Sequence, residues 1–177
     1  DERVKRLPGD EIVDDVMTHY TRAVTIDAPP SAVWPWLLQL GDRRAGFYSY
    51  DWIERFVFPG TVHYVDGDHS ATTIHTELQD VHVGDRINTG SVGRVVLGSP
   101  ITILERDRAF VMGTWAFILE PRPGDRARLL VRERESGWIR LLAPRRSGVL
   151  RAGAGLVDYV LAEPLHFAMV RKMMLGI

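Results

Sequence analysis

Three histidines, His63, His69 and His75, recur six residues apart in "HYVDGDHSATTIH", with Asp66 and Asp68 between them. Imidazoles and carboxylates ligate zinc and move protons near neutral pH, so a metal site and an acid/base group are the first chemistries to weigh. Metal sites on one element use close pairs such as His-x-x-x-His, and a spacing of six fits neither a helix face nor a strand's alternation. The stretch therefore reads as a polar loop, and no metal or other cofactor is expected. His166 falls one turn after Glu163 inside an apolar stripe, where it either meets a buried hydrogen-bond partner or touches a ligand. "AGFYSYDW" brings Phe47, Tyr48, Tyr50 and Trp52 into six residues, a density that suits core packing and also leaves Tyr48 and Tyr50 able to present hydroxyls to a ligand. Trp115, Phe117 and Leu119 share one face of an alternating run. In the next run Leu130, Arg132 and Arg134 share one face and Leu129, Val131 and Glu133 the other. If Arg132 faces inward, a pocket gains a fixed cation for a carboxylate or enolate; if Leu129 and Val131 do, the pocket is apolar. Alternation alone leaves that choice open.

Other chemistries are weakly supported. There is no cysteine, which removes thiolate metal sites, disulfides and cysteine nucleophiles. G-x-S-x-G, the P-loop and G-x-G-x-x-G after a strand are also missing. Lys and Arg total 22 against 23 Asp and Glu, so net charge gives no reason to expect nucleic acid as a partner. Charge is uneven: from Arg126 to Arg151 eight arginines accompany only Glu133 and Glu135. "WIRLLAPRRSGVLRAG" mixes such arginines with Trp138, Leu141 and Leu142, a pattern that can lie at a headgroup interface. No apolar run approaches the roughly 20 residues that span a bilayer, and the expected location is the cytoplasm.

The elements that position these side chains follow from periodicity. With 177 residues and 45% apolar content the chain suits one core. Residues 1–20 read as an extended lead-in and 21–177 as a single domain. "TRAVTIDAPP" alternates and stops at a double proline, a first strand. "PPSAVWPWLLQLG" has Pro30 and Ser31 as start signals and Gly41 as a stop, with Pro35 placed in the first turn and Val33, Trp36, Leu37 and Leu40 on one face. "YSYDWIERFVF" reads as a second short helix capped by Ser49 or Asp51. Residues 61–82 are mostly loop. "DRINTG", "GRVVLGS", "ITILER", "AFVMG", "TWAFILEP" and "ARLLVRERES" then follow as short strands of an antiparallel meander, with "EPRPGDRA" as a hairpin. From about 149 the pattern is helical, interrupted at Pro164, and its final stripe runs through Glu163, His166, Phe167, Val170, Met173, Met174 and Ile177.

"VTIDAPPSAVWPWLLQLG", "AGFYSYDWIER", "IHTELQDVHVGDRI", "TWAFILEP" and "EPLHFAMVRKMMLGI" together resemble the SRPBCC or START-like superfamily, over about residues 20–177. That superfamily includes polyketide cyclases and dehydrases, lipid-transfer domains and birch-pollen-allergen-like proteins. The likeness is nearest to a bacterial subgroup with "WPWL.Q.G" and "G.YSYD" signatures. It implies an α+β helix-grip fold: a curved, seven-stranded antiparallel sheet wrapped around a long C-terminal helix, with two short helices after the first strand. One departure is that "TVHYVDGDHSATTIH" alternates too briefly for the strand expected after the helices.

The resemblance implies a cavity between sheet and helix that binds a small hydrophobic or aromatic molecule, in a monomer or homodimer. Tyr48, Tyr50, Trp115, Phe117, Arg132, His166, Met169 and Met173 are the candidate ligand-binding residues. His75 and Glu77, in "IHTELQD" where the chain re-enters the sheet, are the candidate acid/base pair at the cavity mouth. The alternatives are a metal-free polyketide cyclase or dehydratase that uses pocket His, Glu, Tyr and Arg, and a lipid carrier or membrane-proximal module.

Overall fold

In the computed structural model, the described residues are 2–12, 18–57, 63–92, 95–135 and 163–177, with 156 and 160. The chain begins with β1 (Thr18–Ile26), followed by α1 (Pro30–Leu38) and α2 (Asp51–Val57). Five strands succeed them: β2 (Arg86–Val92), β3 (Val95–Glu105), β4 (Ala109–Met112), β5 (Trp115–Arg122) and β6 (Arg126–Glu135). The last element is α3 (Glu163–Gly176). The architecture is α+β, an antiparallel sheet with a C-terminal helix, and among the described residues the sheet has six strands in the order β1-β6-β5-β4-β3-β2. The first strand thus closes against the last, with Tyr20 opposite Glu133 and Arg22 opposite Val131.

Several local expectations change. "GRVVLGS" and "ITILER" are one strand: Pro100 lies within the 11-residue β3, paired with Arg86, and the register toward β4 shifts between Ile101 and Ile103. A strand tolerates proline where such an irregularity relieves the missing donor. Pro35 lies inside α1 and not in its first turn. The carbonyl it leaves without an amide belongs to Ser31, which is exposed. Trp34 and Leu38, with Val33 and Leu37, form the buried face of α1, while Trp36 packs against the core only in part. Ser49 does not cap α2; its hydroxyl donates to the Met169 carbonyl at 3.0 Å and so ties the 47–49 loop to α3. The helix expected before Pro164 and the segment "WIRLLAPRRSGVLRAG" lie outside the described residues.

Alternation along the strands divides the core in two. Leu129 and Val131 of β6, Phe117 and Leu119 of β5, and Phe110 and Met112 of β4 join Val170, Met173 and Met174 of α3 and the buried face of α1. The rings of Phe110 and Phe117 stack at 5.9 Å. On the outer face Ala109, Val111, Ala116, Ile118 and Leu130 are covered by Leu7 from the N-terminal residues. Where an extended lead-in was expected, residues 2–12 form turns that cover the back of the sheet, and residues 18–20 already belong to β1.

Two glycines fix where the helix ends meet their neighbours. Gly41, at φ +128°, ends the turn after α1, and a Cβ there would lie 2.7 Å from the Ile87 Cγ2. Gly176 brings the end of α3 onto the 47–49 loop, where a Cβ would lie 2.7 Å from the Tyr48 carbonyl oxygen. Arg44 closes the other end of the assembly. Its guanidinium donates to the Leu38, Leu40 and Leu78 carbonyls at 2.7–3.1 Å, supplying donors and positive charge at the C-terminus of α1.

Candidate functional site

The histidine-rich stretch does not converge on a metal: among the described residues no group of three His, Cys, Asp or Glu side chains could hold one. His63 uses its backbone N–H on the Asp42 carboxylate, and His69 is exposed. His75 is positioned more firmly. Its backbone N–H donates to the Oε1 of the buried Gln39 at 2.9 Å, and Gln39 in turn donates to the Tyr48 hydroxyl at 2.8 Å and the Thr73 carbonyl at 3.0 Å. The ring meets Asp66 through Nε2 at 3.1 Å and Glu77 through Nδ1 at 3.3 Å. The Asp66 hydrogen bond, helped by Glu77, raises the imidazole above its ordinary pKa. With both ring nitrogens turned to carboxylates, His75 suits a cation that ties residues 66 and 77 together better than a base awaiting a substrate proton. His75 and Glu77 do touch, as a pair, but on the loop side and in a geometry that consumes both nitrogens.

Three of the other candidates, Tyr48, Phe117 and Met173, are packed in the core. Tyr48 is buried, donates to the Trp36 carbonyl at 3.1 Å and packs edge-on to the Trp36 ring. Burial raises its phenol well above the ordinary range, so it stays neutral. Phe117 and Met173 are fully buried in the inner core. Tyr50 is exposed, and its carbonyl receives the Ile53 and Glu54 amides at the start of α2. Met169 is half-buried, with its carbonyl on Ser49.

Arg132 settles the question that alternation left open, because it points to the outer face. Its guanidinium is 4% exposed and donates to Thr21 Oγ1, the Asp10 carboxylate and the carbonyls of Glu2, Arg3 and Lys5, all at 2.8–3.1 Å. Five contacts match the five N–H donors of the group. A ligand on the inner face cannot reach it, so Arg132 leaves the set of pocket residues.

The inner face instead takes Glu133, a residue that pattern reading left without a role. Glu133 is 1% exposed, stands opposite Trp115 in the β5–β6 pairing, and accepts the indole N–H of that residue. His166 approaches from α3, with Nε2 at 3.1 Å from Glu133 Oε2 and its ring 5.8 Å from the Trp115 centroid. Trp115 continues the cluster to Phe47 at 6.2 Å and to Phe117 at 5.9 Å. Trp115, Phe117 and His166 are thus brought together around a buried acid. The available signal was an acidic side chain on the same strand face as Leu129 and Val131.

Open space lies beside this cluster, between β1 and α3. A groove of about 300 Å³ is walled by Ala23 and Val24 on the strand and by Phe167, Met174 and Leu175 on the helix, with Arg22 and Arg171 supplying its charge. The Arg22 guanidinium sits 5.1 Å from the ring centroids of both Tyr20 and Phe167. None of the ligand-binding residues inferred from sequence lines this groove. It opens where α3 carries its exposed Phe167 and Leu175 past the edge strand, while Val170, Met173 and Met174 pack down on the sheet.

No helix among the described residues is long and apolar enough to cross a membrane. The chain matches no protein-family model and no functionally described protein. Among solved structures it is similar to the crystal structure of the Mll3558 protein from Rhizobium loti, at 18% identity over 85% of this chain and 99% of that one. The TM-score of that superposition is 0.37, too low to carry an argument about fold or function.

Proposed function

We propose that this chain is a helix-grip protein of the SRPBCC type that binds a small, largely apolar or aromatic molecule between the sheet and the C-terminal helix. The groove of about 300 Å³ between β1 and α3 carries the reading, since it is concave, has apolar walls from both elements and includes a few polar groups. Its size is at the lower end of small-ligand pockets, which run from about 300 to 1,000 Å³. The space beneath the middle of α3 is filled by Phe117, Met173 and their neighbours, so the ligand lies toward the β1 edge. The test is titration with a neutral naphthyl dye such as Prodan. Saturable binding is expected in the wild type, weakened several-fold in Phe167→Ala, which removes a wall whose ring is half exposed. Equal binding by both proteins counts against the site.

A second reading, a metal-free cyclase or dehydratase, is favoured by one observation: the Glu133–His166 pair. A buried carboxylate at 3.1 Å from Nε2 fixes the imidazole tautomer and steadies the imidazolium that forms when His166 takes a proton. Trp115 donates its indole N–H to the same carboxylate and holds it in place. Conversion of a linear poly-β-ketone by the wild type, with loss in both His166→Gln and Glu133→Gln, supports this reading. Binding of the same compound without conversion contradicts it.

A further inference from the structure

Residues 63–77 run across the turn between α1 and α2 and are held to it at several points. The Val65 and Ala71 amides donate to the Arg44 and Ala45 carbonyls at 2.9 and 2.8 Å. Carboxylates supply further grips. Asp42 accepts the His63 amide at 2.9 Å, Asp51 accepts the Ser70 amide at 3.1 Å and its hydroxyl at 2.7 Å, and the buried Glu54 accepts the Tyr64 hydroxyl. Within the loop the His75 ring bridges Asp66 and Glu77, while the His75 amide is fastened to Gln39.

We infer that this loop is a pH-sensitive strap, fastened over the α1–α2 turn in mildly acid solution and loosened above neutrality. Two of its ties titrate in the same direction. His75 joins residues 66 and 77 as a cation, a charge favoured first by the Asp66 hydrogen bond and then by Glu77. An imidazole raised in this way strengthens the closed loop below its unfolded pKa, and that contribution is lost as pH rises through the raised value. Glu54 works from the opposite charge. Burial, opposed in part by the Tyr64 bond and reinforced by Asp51 and Asp42, keeps its carboxyl neutral up to about 7. Once ionised it is a buried anion beside two others, and opening the loop at Tyr64 admits water to it. The groups that face this pair are Asp66 and Glu77 around His75, and Tyr64, Asp51 and Asp42 around Glu54. A loop held by hydrogen bonds to one turn opens at lower cost than strands in the core, so release needs no unfolding of the sheet.

Amide hydrogen exchange at pH 6 and pH 8, corrected for the intrinsic rate, tests this. Val65 and Ala71 report the strap, and Leu119, bonded to the Arg108 carbonyl at 2.8 Å, reports the core. Protection at Val65 and Ala71 is expected to lie below that at Leu119 and to fall about tenfold or more between the two pH values, the factor implied by a carboxyl moved from 4.5 to about 7. The double variant Glu54→Gln/His75→Gln is expected to show equal strap protection at both pH values. Each single variant is expected to remove part of the fall, so the test does not hang on how well the double variant folds. Strap protection equal to that of Leu119 at both pH values overturns the inference, because the loop then opens only with the whole molecule. Strap protection in the wild type that does not change with pH overturns it too, as does a double variant that falls as far as the wild type.

Discussion

Arg132 uses four of its five bonds to hold the N-terminal cover against the back of the sheet, and three of those go to backbone carbonyls of Glu2, Arg3 and Lys5. Removing a buried cation leaves its partners desolvated and unpaired, at a cost of about 3 kcal/mol or more. Arg132→Met is therefore expected to lower stability by that order in denaturant unfolding and to expose residues 2–12 to limited proteolysis; an intact cover with wild-type stability would contradict the assignment. Glu54 is a different case. It is buried at 4% exposure and accepts the Tyr64 hydroxyl, while its Oε1 has no hydrogen-bond partner among the described residues. Burial, opposed in part by the Tyr64 bond and reinforced by Asp51 and Asp42, pushes its carboxyl up from 4.5 to about 7. A carboxyl raised in the folded state favours folding fully below its unfolded pKa, and that contribution is lost as pH rises through about 7. The difference is on the order of 3 kcal/mol. Glu54→Gln keeps an acceptor for Tyr64 and removes the titration, so it is expected to flatten stability between pH 5 and 8 and to exceed the wild type at pH 8. Parallel pH–stability curves for the two proteins would refute this.

At the scale of elements, the position of α3 depends on contacts at both of its ends. Glu133 meets His166 near its start, Ser49 binds the Met169 carbonyl near its middle, and Gly176 rests against Tyr48 at its end. A methyl group at Gly176 would press into the Tyr48 backbone, and overpacking of this kind costs about 1–3 kcal/mol. Gly176→Ala is expected to lower the melting temperature and to weaken probe binding in the groove, because Met174 and Leu175 shift with the helix end. Unchanged melting would mean that the loop yields freely. The order of elements was largely legible because β1, β5 and β6 alternate and α1 and α3 carry apolar stripes, whereas the single strand β3 reads as two runs split at Pro100. Hairpin "EPRPGDRA" was legible for a similar reason, since Gly124 and Asp125 both adopt positive φ. What alternation could not supply was the direction each face takes. Arg132 and Glu133 are neighbours in sequence, and only the covering of one face by residues 2–12 and of the other by α1 and α3 decides which is inside. The groove was illegible because its walls come from β1 and α3, about 150 residues apart, and its arginines look like ordinary surface charge.

For the whole molecule, the sheet has two covered faces and a distinct edge. Residues 2–12 cover the back, α1 and α3 cover the front, and β1 forms one margin of the six described strands. A straight helix on a twisted sheet keeps close contact along only part of its length. Here the backbone of α3 comes nearest the sheet at β1, while Phe117, Val131 and Met173 belong to one buried cluster, and the groove lies between α3 and β1 beside it. The β1–α3 groove is the proposed ligand site, and the His75 loop serves as a structural tie. Methyl-resolved NMR during titration with octanol tests the claim most directly. Saturable shifts confined to Val24, Met174 and Leu175 are the expected result; shifts centred on Val65 and Ile74 beside His75, or no saturable shifts, would contradict it.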